Sequence, residues 1–96
     1  MTTWFVSRHP GALHWMKKNK IHFDIHMNHF DPMMVQAGDV VIGSLPINLA
    51  AQICALGAEY QHLSLFVPEH ARGKELSAEE LDTYDAKLER FQITKL

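Results

Sequence analysis

One cysteine, Cys54, is all the thiol this 96-residue chain carries. A lone thiol cannot close an internal disulfide, and a cysteine-based zinc site needs several. No apolar run approaches the roughly 20 residues needed to span a bilayer. The amino terminus shows no signal-peptide pattern, so the expectation is a cytoplasmic protein. An excess of positive charge is missing too: nine Lys and Arg stand against eleven Asp and Glu, a net charge of −2. That balance argues against a broad, salt-driven hold on long nucleic acid, which needs many phosphate contacts. It leaves room for a small phosphate ligand gripped by a few local cations. Repeats, linkers and low-complexity segments are absent, and no Gly-x-Gly-x-x-Gly dinucleotide fingerprint occurs.

What is present is apolar and rich in imidazole. A hydrophobic fraction of 47% supports a globular fold rather than disorder. The length fits one small domain over residues 1–96, with much surface for its volume. A domain this apolar is expected to cover part of that surface in a homodimer. Seven histidines supply groups that act as acid, base or ligand near neutral pH.

The most informative stretch comes first. Trp4-Phe5-Val6 is a short β-prone run that leads into Ser7-Arg8-His9-Pro10-Gly11-Ala12. Ala12, Leu13 and Met16 then recur at helical spacing, in a helix running to Lys20. Pro10 suits its first turn, where a missing N–H costs nothing. Ser7, Arg8 and His9 therefore fall at the carboxyl end of a first strand, just before a helix N-terminus. Ligands of open α/β sheets bind there, and helix N-termini favour anions. A hydroxyl, a guanidinium and an imidazole in a row make a corner suited to phosphate.

Ile21 to Met27 alternates, with Ile21, Phe23, Ile25 and Met27 on one face and His22, Asp24, His26 and Asn28 on the other. This predicts an edge strand with one wet face. His22, Asp24 and His26 are metal-ligand types, and His29 could add a donor, but same-face neighbours on a strand stand about 6–7 Å apart, wide for shared coordination. A solvated face is the preferred reading, with no metal and no cofactor. Asn28 to Gly38 reads as a loop or a single helical turn.

Val40-Val41-Ile42 is continuous and apolar, as in a strand buried on both faces. It ends in Gly43-Ser44-Leu45-Pro46, and Ile47 to Leu56 is a nearly all-apolar helix with Gly57 as its stop. Strand, small polar turn, proline and helix thus recur, placing Ser44 and Asn48 as counterparts of the first corner. Gly43 is needed either for the turn or for close approach of a ligand. A strand over Glu59–Val67 opens into the polar run Pro68-Glu69-His70-Ala71-Arg72-Gly73-Lys74-Glu75-Leu76. Ser77-Ala78-Glu79-Glu80 is a capping box with Leu76 and Leu81 as a hydrophobic staple. Leu81, Tyr84 and Leu88 form the buried stripe of that helix, and Phe91 and Ile93 alternate in a last strand.

The order β-α-β-β-α-β-α-β predicts a three-layer Rossmann-like α/β sandwich on a mostly parallel five-stranded sheet. The loops at residues 7–11, 43–48 and 68–76 then converge on one sheet edge.

Arg8-His9 is similar to the Arg-His-Gly of histidine phosphatases. Pro10 replaces the glycine, however, and the chain is too short for that fold's second histidine. Three blocks in order, Phe5 to Ala12, Gly38 to Pro46 and Arg72 to Leu76, give a closer match. Over nearly its whole length the chain resembles a family of small proteins of the Csx group, encoded in type III CRISPR loci. The resemblance implies a compact relative of the CARF domains and ring nuclease activity, the cutting of a cyclic oligoadenylate messenger, most often the tetra-adenylate, to linear pieces. The lone cysteine and the wide spacing of His22, Asp24 and His26 predict that the cutting needs no metal. The His22, His26 and His29 cluster has no part in it.

On that reading the ribose 2′-OH attacks its own phosphodiester and leaves a 2′,3′-cyclic phosphate. His9 is the candidate general base or acid, Arg8 the holder of the non-bridging oxygens, and Glu75 a second proton carrier or a salt-bridge partner. The candidate ligand-binding residues are Ser7, Pro10, Gly11, Gly43, Ser44, Asn48, Arg72, Gly73 and Lys74. A four-fold ring suits a two-fold dimer. The alternative is a module that binds the ring without cutting it, and a third reading is a structural subunit of a larger effector complex.

Overall fold

The computed structural model describes residues 1–96. Its strands are β1 (Thr3–Val6), β2 (Ile25–Met27), β3 (Val40–Gly43), β4 (Glu59–Ser64) and β5 (Lys87–Phe91). Its helices are α1 (Pro10–Lys18), α2 (Ile47–Ala55) and α3 (Ala78–Thr83), with 3₁₀ turns at Pro32–Met34 and Glu69–Ala71. The strands form one sheet in the order β2-β1-β3-β4-β5. β1 to β4 run parallel and β5 returns antiparallel to β4. This is a small Rossmann-like domain, as expected.

The crossover from β1 to β2 runs one way along the sheet and that from β3 to β4 the other. Right-handed crossovers must then place α1 and α2 on opposite faces. They do. α2 lays Ala50, Ile53 and Cys54 on Trp4, Val6, Val41 and Tyr60. On the other face, Ala12, Trp15 and Met16 of α1 and Ala78 and Leu81 of α3 cover Phe5, Ile42 and Leu63. The register that sets Trp4 beside Val41 and Phe5 beside Ile42 sends each pair to its own layer.

Several boundaries differ from expectation, for identifiable reasons. α1 stops at Lys18 and α3 at Thr83 because both end in Schellman motifs. The N–H of Ile21 donates to the Met16 carbonyl, and the N–H of Ala86 to that of Leu81. The residues that turn left-handed are Lys20 (φ 56°) and Asp85 (φ 61°), neither of them the usual glycine. Only α2, with Gly57 at φ 92°, has the expected stop. Leu88 therefore belongs to β5 and not to a helical stripe, and Ile93 lies beyond that strand, packed on the α2-side core.

The predicted strand at Ile21–Met27 is shortened to Ile25–Met27. Asp24 bends the chain: its N–H donates to the Thr3 carbonyl at 2.8 Å and its carboxylate accepts the Thr3 N–H at 2.8 Å. Past the bend the alternation inverts. Phe23 and Ile21 pack on the α1 side together with His26, whereas Met27 packs on the α2 side. β4 likewise ends at Ser64, three residues early. The capping box forms as read, with the Glu80 N–H donating to Ser77 Oγ at 3.1 Å and the Ser77 N–H to Glu80 Oε1 at 3.2 Å.

Candidate functional site

β1, β2, β3 and β4 all point their carboxyl ends to one edge, and the chain reverses its lateral direction between β1 and β3. Loops flare apart at such a switch point and leave a crevice. A cavity of about 540 Å³ lies there, within the range of roughly 300–1,000 Å³ typical of small-ligand sites. Ser7, Arg8 and His9 from the β1 loop, Gly43 and Ser44 from the β3 loop, and Lys74 from the loop before α3 all line it. These six come from the three loops expected to converge.

Other candidates lie elsewhere. Asn48 sits on the outer face of α2, in a groove with Gln92 to Lys95, because only its neighbour Leu49 turns inward. Pro10, Arg72, Gly73 and Glu75 do not line the cavity. Gly11 serves packing, because a Cβ there would stand 1.7 Å from the Leu76 carbonyl oxygen. Its bareness lets α1 and the end of the polar loop touch. Gly43 lines the cavity, and its bareness is needed for packing against β1, since a Cβ would come within 2.6 Å of the Val6 carbonyl oxygen.

Charge at the site is one-sided. The cavity lining holds Arg8, Lys74, His9 and His29 and no carboxylate at all. Neither cation is spent in an ion pair, for the salt bridges of the chain are Lys18–Asp82, His22–Asp24, Lys87–Asp85 and Arg90–Glu59. α1 begins without a side-chain cap or an acidic residue in its first turn. Its amino end therefore adds positive potential beside His9.

The corner is held from three sides. Ser7 Oγ accepts the backbone N–H of His9 at 3.1 Å, closing a tight turn. The Ser7 N–H donates to the Met27 carbonyl at 3.0 Å. His26 Nε2 donates to the Ser7 carbonyl at 2.9 Å while its ring stacks on Phe5 at 5.3 Å. His26 thus buttresses the site while remaining exposed on the edge strand. His22 pairs with Asp24 at 3.0 Å and His29 turns to the cavity, so the ligand-type residues of this region are dispersed.

The β3 loop has its own support. The Tyr60 hydroxyl accepts the Leu45 N–H at 2.9 Å and lies 3.2 Å from the Gly43 carbonyl and 2.6 Å from His62 Nδ1. Burial pushes the phenol above its usual pKa, so it stays a neutral donor and acceptor across the turn. Tyr60 is not legible from sequence as a site residue, because only tertiary folding brings β4 under the Gly43–Leu45 turn.

The loop after β2 is a second contributor that sequence reasoning misses. Asn28, His29 and Phe30 line the cavity, and the signal is present: a strand followed by polar residues, as at Ser7-Arg8-His9. Phe30 joins Leu45 and Leu49 in an apolar wall, and Leu63, Leu65 and Leu76 form another.

Compared with known proteins, residues 4–94 match the model of a family described as "Putative CRISPR-associated protein (Cas_VVA1548)". Neither a curated protein nor a solved structure matches the chain.

Proposed function

The chain belongs to this CRISPR-associated family, and from that premise we propose that it is a ring nuclease. It binds a cyclic oligoadenylate, foremost the tetra-adenylate, in the sheet-edge cavity and cuts it to linear products, ending type III signalling in the cytoplasm. The observation that carries the reading is the one-sided cavity. Two unpaired cations and two imidazoles face a space without a single carboxylate, in a chain of net charge −2. Apolar walls beside them suit stacked bases.

The chemistry needs little else. A base takes the proton of a ribose 2′-OH, whose oxygen attacks the adjacent phosphorus in line. The P–O5′ bond breaks, and an acid returns a proton to the departing 5′-oxygen. A 2′,3′-cyclic phosphate and a free 5′-hydroxyl result. His9 moves the proton, Arg8 and Lys74 offset the charge on the non-bridging oxygens, and Ser7 and Ser44 hydrogen-bond phosphate or ribose. No carboxylate in the lining is available to hold a hard cation, and activity is expected to survive EDTA. Labelled cyclic tetra-adenylate incubated with protein and chelator should become linear. Activity recovered only with manganese would contradict the metal-free route, and a ring left unbound would overturn the whole reading.

A binding module that holds the ring intact is the second reading. Two observations favour it: Glu75 lies outside the cavity, and of the seven histidines only His22, His26 and His62 have a ring nitrogen engaged by another residue. Nothing in the chain orients the His9 imidazole. Ring that is retained but uncut in the same assay would select this reading.

We propose that a ring of four nucleotides is shared between two such cavities, each of about 540 Å³, across the two-fold axis of a homodimer. Light scattering should give twice the chain mass with ring present. A monomer both with and without ring would contradict the dimer.

A further inference from the structure

The cavity's chemistry is divided between loops. Its cations come from the β1 loop and the loop before α3, whereas the loop after β2 brings an amide, an imidazole and an aromatic ring. We propose that this loop is the base-recognising part of the site, in which Phe30 stacks a purine and the Asn28 carboxamide pairs with its polar edge. The inference rests on the reading of the site as one for a cyclic oligoadenylate.

Three observations support it. Asn28 lies directly after β2, whose hydrogen bond from the Ser7 N–H to the Met27 carbonyl ties the start of this loop to the phosphate corner. Base and phosphate contacts are thereby held at a fixed separation. The Asn28 amide is unspent: among the asparagines, only Asn19 bonds through its side chain within the chain. An asparagine carboxamide, donor and acceptor together, matches the N6/N7 edge of adenine with two parallel hydrogen bonds. Phe30 is half-buried, its position set by packing on the α2-side core, yet it still faces the cavity. A ring fixed on one side and open on the other is a stacking platform. Guanine would present O6 where adenine presents N6, and uracil lacks the second ring altogether, so amide and platform together select adenine.

The test compares two rings, cyclic tetra-adenylate and cyclic tetra-uridylate, by equilibrium binding to the full chain in EDTA. Wild-type protein should prefer the adenine ring. Asn28→Ala, at an exposed position, should leave the melting temperature unchanged and reduce that preference about tenfold. Phe30→Ala should weaken adenine-ring binding by about 5–150-fold. Phe30→Leu, which keeps the packing and removes the aromatic face, should lose most of the same affinity and separates stacking from misfolding. Equal weakening toward both rings, or an unchanged preference in Asn28→Ala with the wild type still binding, would overturn this inference alone. Wild-type protein that binds neither ring would overturn the functional reading and this one with it.

Discussion

His9→Ala should keep the ring bound and slow its cutting by about 10²–10⁴-fold in a single turnover, the usual worth of a positioned proton carrier. An imidazole that acts only while the 2′-oxygen attacks contributes to the transition state and little to ground-state affinity. His9 stands where this role needs it: it is the residue before α1, lines the cavity, and its backbone N–H is held by Ser7 Oγ. Arg8→Ala should differ in kind. A guanidinium that grips phosphate serves bound ring and transition state alike, so affinity and turnover should fall together. Lys74→Ala should mainly weaken binding, most visibly at low salt where charges are least screened. Cutting by His9→Ala at the wild-type rate would contradict the assignment. His29 would then be the first alternative, since it lines the same cavity and His70 does not.

The second large effect is on stability, and it lies at Asp39. This carboxylate is buried, with only 5% of its surface exposed. Its Oδ1 accepts the Thr2 N–H at 2.9 Å, and its Oδ2 accepts the Gln36 N–H at 3.0 Å and the Trp4 indole N–H at 3.1 Å. One side chain thus ties the amino end of β1 to the turn that opens β3, the two strands flanking the site. Asp39→Ala leaves three donors without an acceptor, one of them in the core. At about 1–3 kcal/mol for each unsatisfied group, and toward the low end for the two backbone donors that are only part-buried, the expected loss is about 3–5 kcal/mol, a large share of the stability of any small domain.

Asp39 also makes acid stability readable. The Gln36 N–H, then that of Thr2, holds its carboxyl below the usual carboxylate pKa. A depressed pKa contributes stability above the unfolded value, near 3.9, that is lost as pH falls through the folded one. Urea unfolding of wild type and Asp39→Asn should therefore differ by a constant amount above about pH 4 to 5 and progressively less as pH falls further. A constant difference between pH 3 and 7, or an Asp39→Ala loss below 1 kcal/mol, would contradict this role for Asp39.

What can be read in the chain is local. The corner Ser7-Arg8-His9 is a strand end, a proline and a helix start in a few consecutive residues, and it folds as it reads. The apolar run Val40–Ile42 and the turn after it behave the same way. What escapes depends on the third dimension. Lys20 and Asp85 close helices in a conformation usually left to glycine. Asp24 reverses an alternating pattern because its carboxylate meets Thr3, which is distant in sequence. Asn48 looks like a site residue by symmetry with the first corner, yet one step along a helix turns it to the opposite side. The loop at Asn28–Phe30 reaches the site only because β2 pairs with β1 in parallel, and a lone edge strand does not announce its partner.

The central claim is that the one-sided cavity at the β1–β3 switch point holds a cyclic oligoadenylate. Its most direct measurement is equilibrium binding of labelled cyclic tetra-adenylate in EDTA to the wild-type protein and to Arg8→Ala, each at low and high salt. The expected result is binding by the wild type that weakens with salt and falls at least tenfold in Arg8→Ala at low salt. Absence of binding by the wild type, or affinity untouched by the loss of Arg8, would contradict it.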